Sequence, residues 1–69
     1  MQCYEYQLML SHVYEVIALT QPGFKYDAQV LSDILAALDV HNLAELTQVA
    51  PKVIRMQALA YMEGYELAA

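Results

Sequence analysis

The side chains that could do chemistry are few and widely spaced. One thiol, Cys3, and two imidazoles, His12 and His41, are present, and none of them lies close to another along the chain. A zinc site usually draws its ligands from closely spaced Cys or His pairs, and nucleophilic catalysis needs a base within hydrogen-bonding reach of the nucleophile. No glycine-rich run that could cradle a phosphate precedes a helix. We therefore expect no catalytic residue, metal, cofactor or small-molecule substrate, and we expect that the chain is not an enzyme.

The carboxylates are spread along the chain instead of forming a run. Eight acidic residues stand against Lys25, Lys52 and Arg55, which gives a net charge of -5. This balance repels a phosphate backbone, so we expect no direct binding of nucleic acid. Scattered carboxylates are typical of solvated helix faces, although an acidic chain of this kind could also imitate DNA and inhibit a DNA-binding protein.

The composition is too apolar for so short a chain. Of 69 residues, 59% are hydrophobic and 16% are charged, where about 25% charged is usual. A core of this size contributes only about 3–5 kcal/mol, and a single cysteine excludes an intramolecular disulfide. These limits predict one domain that associates with itself, most simply as a homodimer.

Neither a membrane span nor a signal peptide is expected. Polar residues interrupt each apolar segment before it reaches the roughly 20 residues that a span needs. The first residues, Met-Gln-Cys-Tyr-Glu, lack the basic start of a signal peptide. We therefore expect a cytoplasmic protein.

Apolar periodicity predicts three helices, at about 2–20, 27–39 and 43–63. The first should end where Pro22-Gly23 occupies the centre of a type II turn, with Gly23 at positive φ. Asp27 suits the N-cap of the second helix, and Asn42 with Glu45 forms a variant of the capping box for the third.

Proline and glycine bear on the course of the third helix. Pro51 predicts a kink or a break because an interior proline removes a hydrogen bond, and Gly64 suits the helix end. The helix is apolar on more than one side, with Leu46, Val49, Val53, Met56 and Ala60 in one row and Ala50, Ile54, Tyr61 and Tyr65 in another. Such a helix must be enclosed. The fold class is therefore all-α: a small antiparallel helical hairpin or three-helix domain, paired as a homodimer through the last helix and part of the first.

Tyrosine, methionine and arginine predict a protein-binding surface. The chain has six tyrosines, no tryptophan and one phenylalanine, and tyrosine tolerates a half-solvated setting. Some of the residues that we assign to this surface will belong to the core instead. The assigned interface residues are Tyr14, Ile17, Arg55, Met56, Leu59, Tyr61, Met62 and Tyr65.

A short, acidic, all-helical chain whose last helix contains the apolar segment PKVIRMQALAYM, residues 51–62, resembles the small host-takeover proteins of bacteriophages. In size and character it is similar to the quorum-sensing anti-activator of Pseudomonas phages, and the resemblance covers the whole chain. It implies a helical homodimer in the host cytoplasm that binds the ligand-binding domain of a LuxR-type receptor and blocks its binding to DNA. It also implies inhibition of the ATPase that assembles type IV pili.

The sequence thus predicts a protein-interaction module that inhibits a host regulatory protein, such as a transcriptional regulator, by steric binding. Apolar and tyrosine side chains would fill a groove on the partner. Two alternatives stay open. One is a purely structural homo-oligomerisation module, and the other is a DNA mimic or an inhibitor of the anti-CRISPR type.

Overall fold

A computed structural model describes the backbone of residues 4–68 and the side chains of residues 4–63. This part of the chain is all-helical and contains no strand, as predicted. It forms four helices where three were predicted: α1 (Tyr4–Thr20), α2 (Ala28–Leu38), α3 (Leu43–Thr47) and α4 (Pro51–Ala68).

The turn after α1 differs from the predicted type. The helix ends at Thr20, and the N–H of Phe24 donates to the carbonyl of Gln21 at 2.9 Å across Pro22-Gly23. Gly23 does not have positive φ, so the turn is not of type II. Proline has the φ that the first central position requires in both type I and type II turns. The conformation of the second central residue, here Gly23, decides which of the two turns forms.

Both predicted caps are present. Asp27 Oδ1 accepts from the N–H groups of Gln29 at 3.0 Å and Val30 at 3.3 Å, which fixes the start of α2. The oxygen Oδ1 of Asn42 accepts from the N–H of Glu45 at 2.8 Å. In return Glu45 accepts from the N–H of His41 at 2.7 Å, one residue before the position that a standard capping box uses.

Pro51 breaks the predicted third helix. α3 ends at Thr47, and Pro51 is the first residue of α4, where its missing N–H costs little because that group would have no partner within the helix. Gly64 does not end α4, which continues through it to Ala68. The expected end was wrong because glycine lowers helix stability by only about 1 kcal/mol and does not by itself stop a helix.

The core lies where α1, α2 and α4 meet, with one side chain from α3. No polar or charged side chain among the described residues is buried. Within residues 51–63, the part of α4 whose side chains are described, Ile54 is the one large buried side chain, and it lies beside the buried Ala58. The buried residues are Met9, Leu10, Val13, Val16, Ile17, Leu31, Ile34, Leu35, Leu46, Ile54 and Ala58.

Candidate interaction surface

One side of α4 is apolar and exposed to solvent. Val53 is 48% exposed, Met56 59% and Leu59 48%, whereas Ile54 and Ala58 are 0% exposed. At 3.6 residues per turn the two sets lie on opposite sides of the helix. We call the exposed side the outward face of α4; it consists of Lys52, Val53, Met56, Leu59, Ala60 and Glu63, all of which are exposed.

The outward face exists because α4 has two apolar sides and only one of them faces the core. The row Ile54, Ala58, Tyr61 turns toward α1 and α2, and Tyr61 and Met62 pack against the core from the edge. Val53 and Met56 belong to the other predicted row and remain in solvent. A single chain therefore leaves this side of α4 in solvent.

A hydrogen bond to α2 helps to set the rotation of α4 about its own axis. The hydroxyl of Tyr61 donates to Asp33 Oδ2 at 3.1 Å, and Gln29 Nε2 donates to the other carboxylate oxygen, also at 3.1 Å. Asp33 thus connects the edge of α4 to the exposed side of α2. Tyr61 lies on the side of α4 opposite to the outward face, so the outward face is directed away from α2.

The charge of the molecule is unevenly distributed. On α4 the two positive charges of Lys52 and Arg55 balance the two negative charges of Glu63 and Glu66, so the helix has no net charge. The net charge of -5 therefore lies on the remaining residues. Arg55 is half-buried beside the outward face. An apolar, neutral face with a cation at its edge has the composition that protein interfaces favour.

The exposed apolar residues of α1 do not form a comparable face. Tyr4 is 77% exposed, Leu8 38% and Leu19 80%. They share one side of α1, but the exposed carboxylate of Glu15 lies between Leu8 and Leu19 on that side. Singly scattered apolar residues are ordinary on protein surfaces and indicate no binding site.

The structure divides the predicted interface residues among several places. Met56 and Leu59 lie on the outward face, with Arg55 at its border. Ile17 is only 1% exposed and is one of the largest core side chains, so it presents no surface to a partner. Tyr65 lies outside the residues whose side chains are described.

The remaining predicted interface residues are half-buried. Tyr61 and Met62 pack against the core. Tyr14 forms a cluster at the end of α1, with its ring centroid 5.4 Å from that of Tyr26 and 5.9 Å from that of Phe24. These contacts give Tyr14 a structural role, because edge-on and tilted aromatic pairs stabilise a fold beyond the area they bury.

Sequence reasoning places Lys52 with Arg55 on the side of Leu59 and Met62, but it does not assign Val53 or Glu63 to the surface. Val53 had been placed in a row with Leu46, which is buried, and nothing in the spacing distinguishes the two rows of α4. The signal that could have identified Glu63 is its spacing of four residues from Leu59, which puts it in line with the exposed apolar pair Met56 and Leu59.

A shallow cleft lies on another side of the molecule, between α1, α2 and the segment after α2. Its volume is about 330 Å³, and its floor includes Met9 and Leu35. The hydroxyl groups of Tyr6 and Ser32 are hydrogen-bonded to each other at its wall. His41 also lines the cleft; it is 75% exposed and lies 3.4 Å from Glu45. None of the described residues that line the cleft is a buried base or nucleophile.

The described residues provide neither a metal site nor a membrane-spanning helix. No three of their His, Asp or Glu side chains are grouped closely enough to hold a metal ion. None of the described helices has the length and apolarity to cross a membrane.

Comparison with known proteins adds no relative. No family model, curated protein or solved structure matches the sequence. The functional argument therefore depends on the outward face of α4.

Proposed function

We propose that the chain is a protein-interaction module that forms a homodimer and inhibits a regulatory protein by occupying its surface. The observation that carries this proposal is the outward face of α4, where Val53, Met56 and Leu59 are each about half exposed on one side of a helix. Exposed apolar residues grouped on one side of a helix favour the binding of another protein, unlike apolar residues scattered singly over a surface.

The mechanism is steric. An exposed apolar helix side with residues spaced three and four apart can dock in a hydrophobic groove, with Met56 and Leu59 as anchors. Methionine adapts to grooves of different shape because its side chain is unbranched and flexible. Arg55 at the border supplies a polar contact of the type enriched among residues that dominate binding energy.

The first partners to test come from the resemblance to phage anti-activators. They are the ligand-binding domain of a LuxR-type receptor and the ATPase that assembles type IV pili. Binding to such a receptor would compete with its own ligand or dimer contacts. Direct competition for DNA is a poorer explanation, because the exposed face of α4 is neutral and apolar.

The test is a titration of each purified candidate partner with the wild-type chain and with Met56→Lys. A buried lysine without a partner charge is costly, so we expect Met56→Lys to bind at least about tenfold more weakly. Leu19→Lys is the matched control, since Leu19 is more exposed than Met56 but lies on α1. Circular dichroism of each variant establishes that it is folded.

Two results would contradict the proposal. One is that neither candidate partner binds the wild-type chain, which would exclude inhibition of these two proteins by direct binding. The other is that Leu19→Lys and Met56→Lys weaken binding equally, which removes the outward face as the contact surface.

A structural homo-oligomerisation module is the second candidate. The observation in its favour is the order of residues along the outward face, which suits pairing with a second copy. Self-association that persists while both candidate partners fail to bind would favour this function.

A further inference from the structure

Four residues form a straight row along the outward face of α4. Lys52, Met56, Leu59 and Glu63 are separated by four, three and four positions and lie within about 60° of one another around the helix axis. Alternate spacings of three and four are those of the contact positions of a coiled coil. Val53 and Ala60 border the row on one side and Arg55 on the other.

The row is complementary to itself when it is reversed. If a second α4 lies antiparallel, with a two-fold axis between positions 57 and 58, Lys52 of one copy faces Glu63 of the other and Met56 faces Leu59. The apolar pairs are then central and an ion pair closes each end. A parallel arrangement would place Lys52 opposite Lys52 and Glu63 opposite Glu63, and like charges in contact are unfavourable.

The charge distribution favours α4 as the contact surface. Two copies that each carry a net charge of -5 repel each other, and α4 is the neutral part of the chain. Approach through α4 therefore keeps the acidic helices apart. Ala60, with its small side chain, lets the two helix axes come close beside the Met56–Leu59 contacts.

We propose that the outward face of α4 binds a second copy of this chain in an antiparallel, two-fold symmetric pair. This inference rests on the proposed function, because it names the first occupant of the same surface. A regulatory protein that docks on that surface would displace the second copy, so the pair would be the resting form and the single chain the inhibiting form.

The first test is sedimentation equilibrium from micromolar to millimolar concentration with a charge exchange. Lys52→Glu creates two carboxylate pairs across the interface, and Glu63→Lys creates two lysine pairs. Each should weaken self-association about tenfold, because two favourable pairs are replaced by two unfavourable ones. The double variant Lys52→Glu with Glu63→Lys restores opposite charges and should return to within about threefold of the wild type.

A second measurement reports orientation directly. In a Cys3→Ser background, a mixture of Lys52→Cys chains and Glu63→Cys chains should form disulfide-linked heterodimers under mild oxidation. Each variant alone should cross-link poorly. In an antiparallel pair, residue 52 of one copy lies about 11 residues, or roughly 16 Å, along the axis from residue 52 of the other copy, and the same holds for residue 63. If Lys52→Cys chains cross-linked only to other Lys52→Cys chains, the pairing would be parallel and the proposal would be overturned.

Other outcomes separate this inference from the proposed function. A wild-type chain that stays monomeric at millimolar concentration, or single charge variants that associate as tightly as the wild type, would overturn the antiparallel pair. The outward face would still be an interaction surface if Met56→Lys weakened binding to the receptor domain or the ATPase. If Met56→Lys changed neither self-association nor partner binding, both proposals would fail.

Discussion

The carboxylate of Glu5 accepts a 2.7 Å hydrogen bond from the backbone N–H of Leu43, 38 positions later in the chain. Leu43 is the first residue of α3, a helix of only five residues whose leading N–H groups have no partners within the helix. Glu5 supplies one acceptor and a negative charge at the favourable end of the helix. The first turn of α1 thus holds the start of α3.

We predict that Glu5→Ala lowers the free energy of unfolding by about 1 kcal/mol, the usual effect of losing a cap. Urea unfolding followed by circular dichroism measures it. Glu15→Ala is the control, because Glu15 is exposed on the same helix and the change in helix propensity is the same. Equal losses in the two variants would argue against a role for the contact with Leu43.

Asp39 should be replaceable by glycine with a gain in stability. It follows α2 in the left-handed conformation, with φ 57° and ψ 44°, and its N–H donates to the carbonyl of Ala36 at 3.1 Å. A side chain costs about 1 kcal/mol in this conformation, and a carboxylate is unfavourable at a helix C-terminus. We expect Asp39→Gly to raise the melting temperature by several degrees.

An asparagine at position 39 separates the effect of the negative charge from the effect of the left-handed backbone conformation. Asp39→Asn removes the charge but keeps a side chain, so it should give a smaller rise than Asp39→Gly. A fall in melting temperature for Asp39→Gly would show that the entropy of the unfolded glycine outweighs the relief of strain.

Gly23→Ala should also stabilise the chain. Gly23 lacks positive φ, and no heavy atom lies within 4 Å of the position that a Cβ would take. Alanine therefore fits without strain and restricts the unfolded chain, which is worth about 0.4–1 kcal/mol. Thermal unfolding is the measurement. A type II turn, as the sequence suggested, would make the same substitution destabilising.

Two neighbouring residues of α4 test which side of the helix is buried. Ile54 is 0% exposed and Val53 is 48% exposed. We predict that Ile54→Ala costs about 2–4 kcal/mol, enough to unfold much of a chain this small, whereas Val53→Ala changes monomer stability by less than about 0.5 kcal/mol. Urea titration at micromolar concentration compares them. Similar costs would mean that α4 is rotated from the position described.

Local signals in the sequence predicted where α2 and α3 begin and where the chain breaks before α4, but not where α4 ends. Asp27, Asn42 and Pro51 each act within four residues of their own position, through a capping side chain or a missing N–H. The break before Pro51 could be placed for this reason, but the choice between a kink and a break depends on the core that α3 and α4 reach together.

The candidate surface could be predicted only in part. Met56 and Leu59 were assigned to it, while Ile17 was assigned to it and is buried. Two apolar rows on α4 offer two ways to face the core, and the choice depends on contacts with distant residues such as Asp33, the acceptor for Tyr61. Contacts of this kind, like that between Glu5 and Leu43, have no signature in short-range spacing.

The interruption at 48–50 decides whether this sequence makes a rod or a closed body. An unbroken helix from 43 to 68 would measure roughly 39 Å, longer than the 33 Å of the largest dimension of the molecule. Leu46 and Ile54 instead reach one interior from two directions, and both are completely shielded from water. Because Pro51 starts a new helix, α4 can turn back over the interior. One side of α4 then covers the core, and the other side stays exposed to solvent.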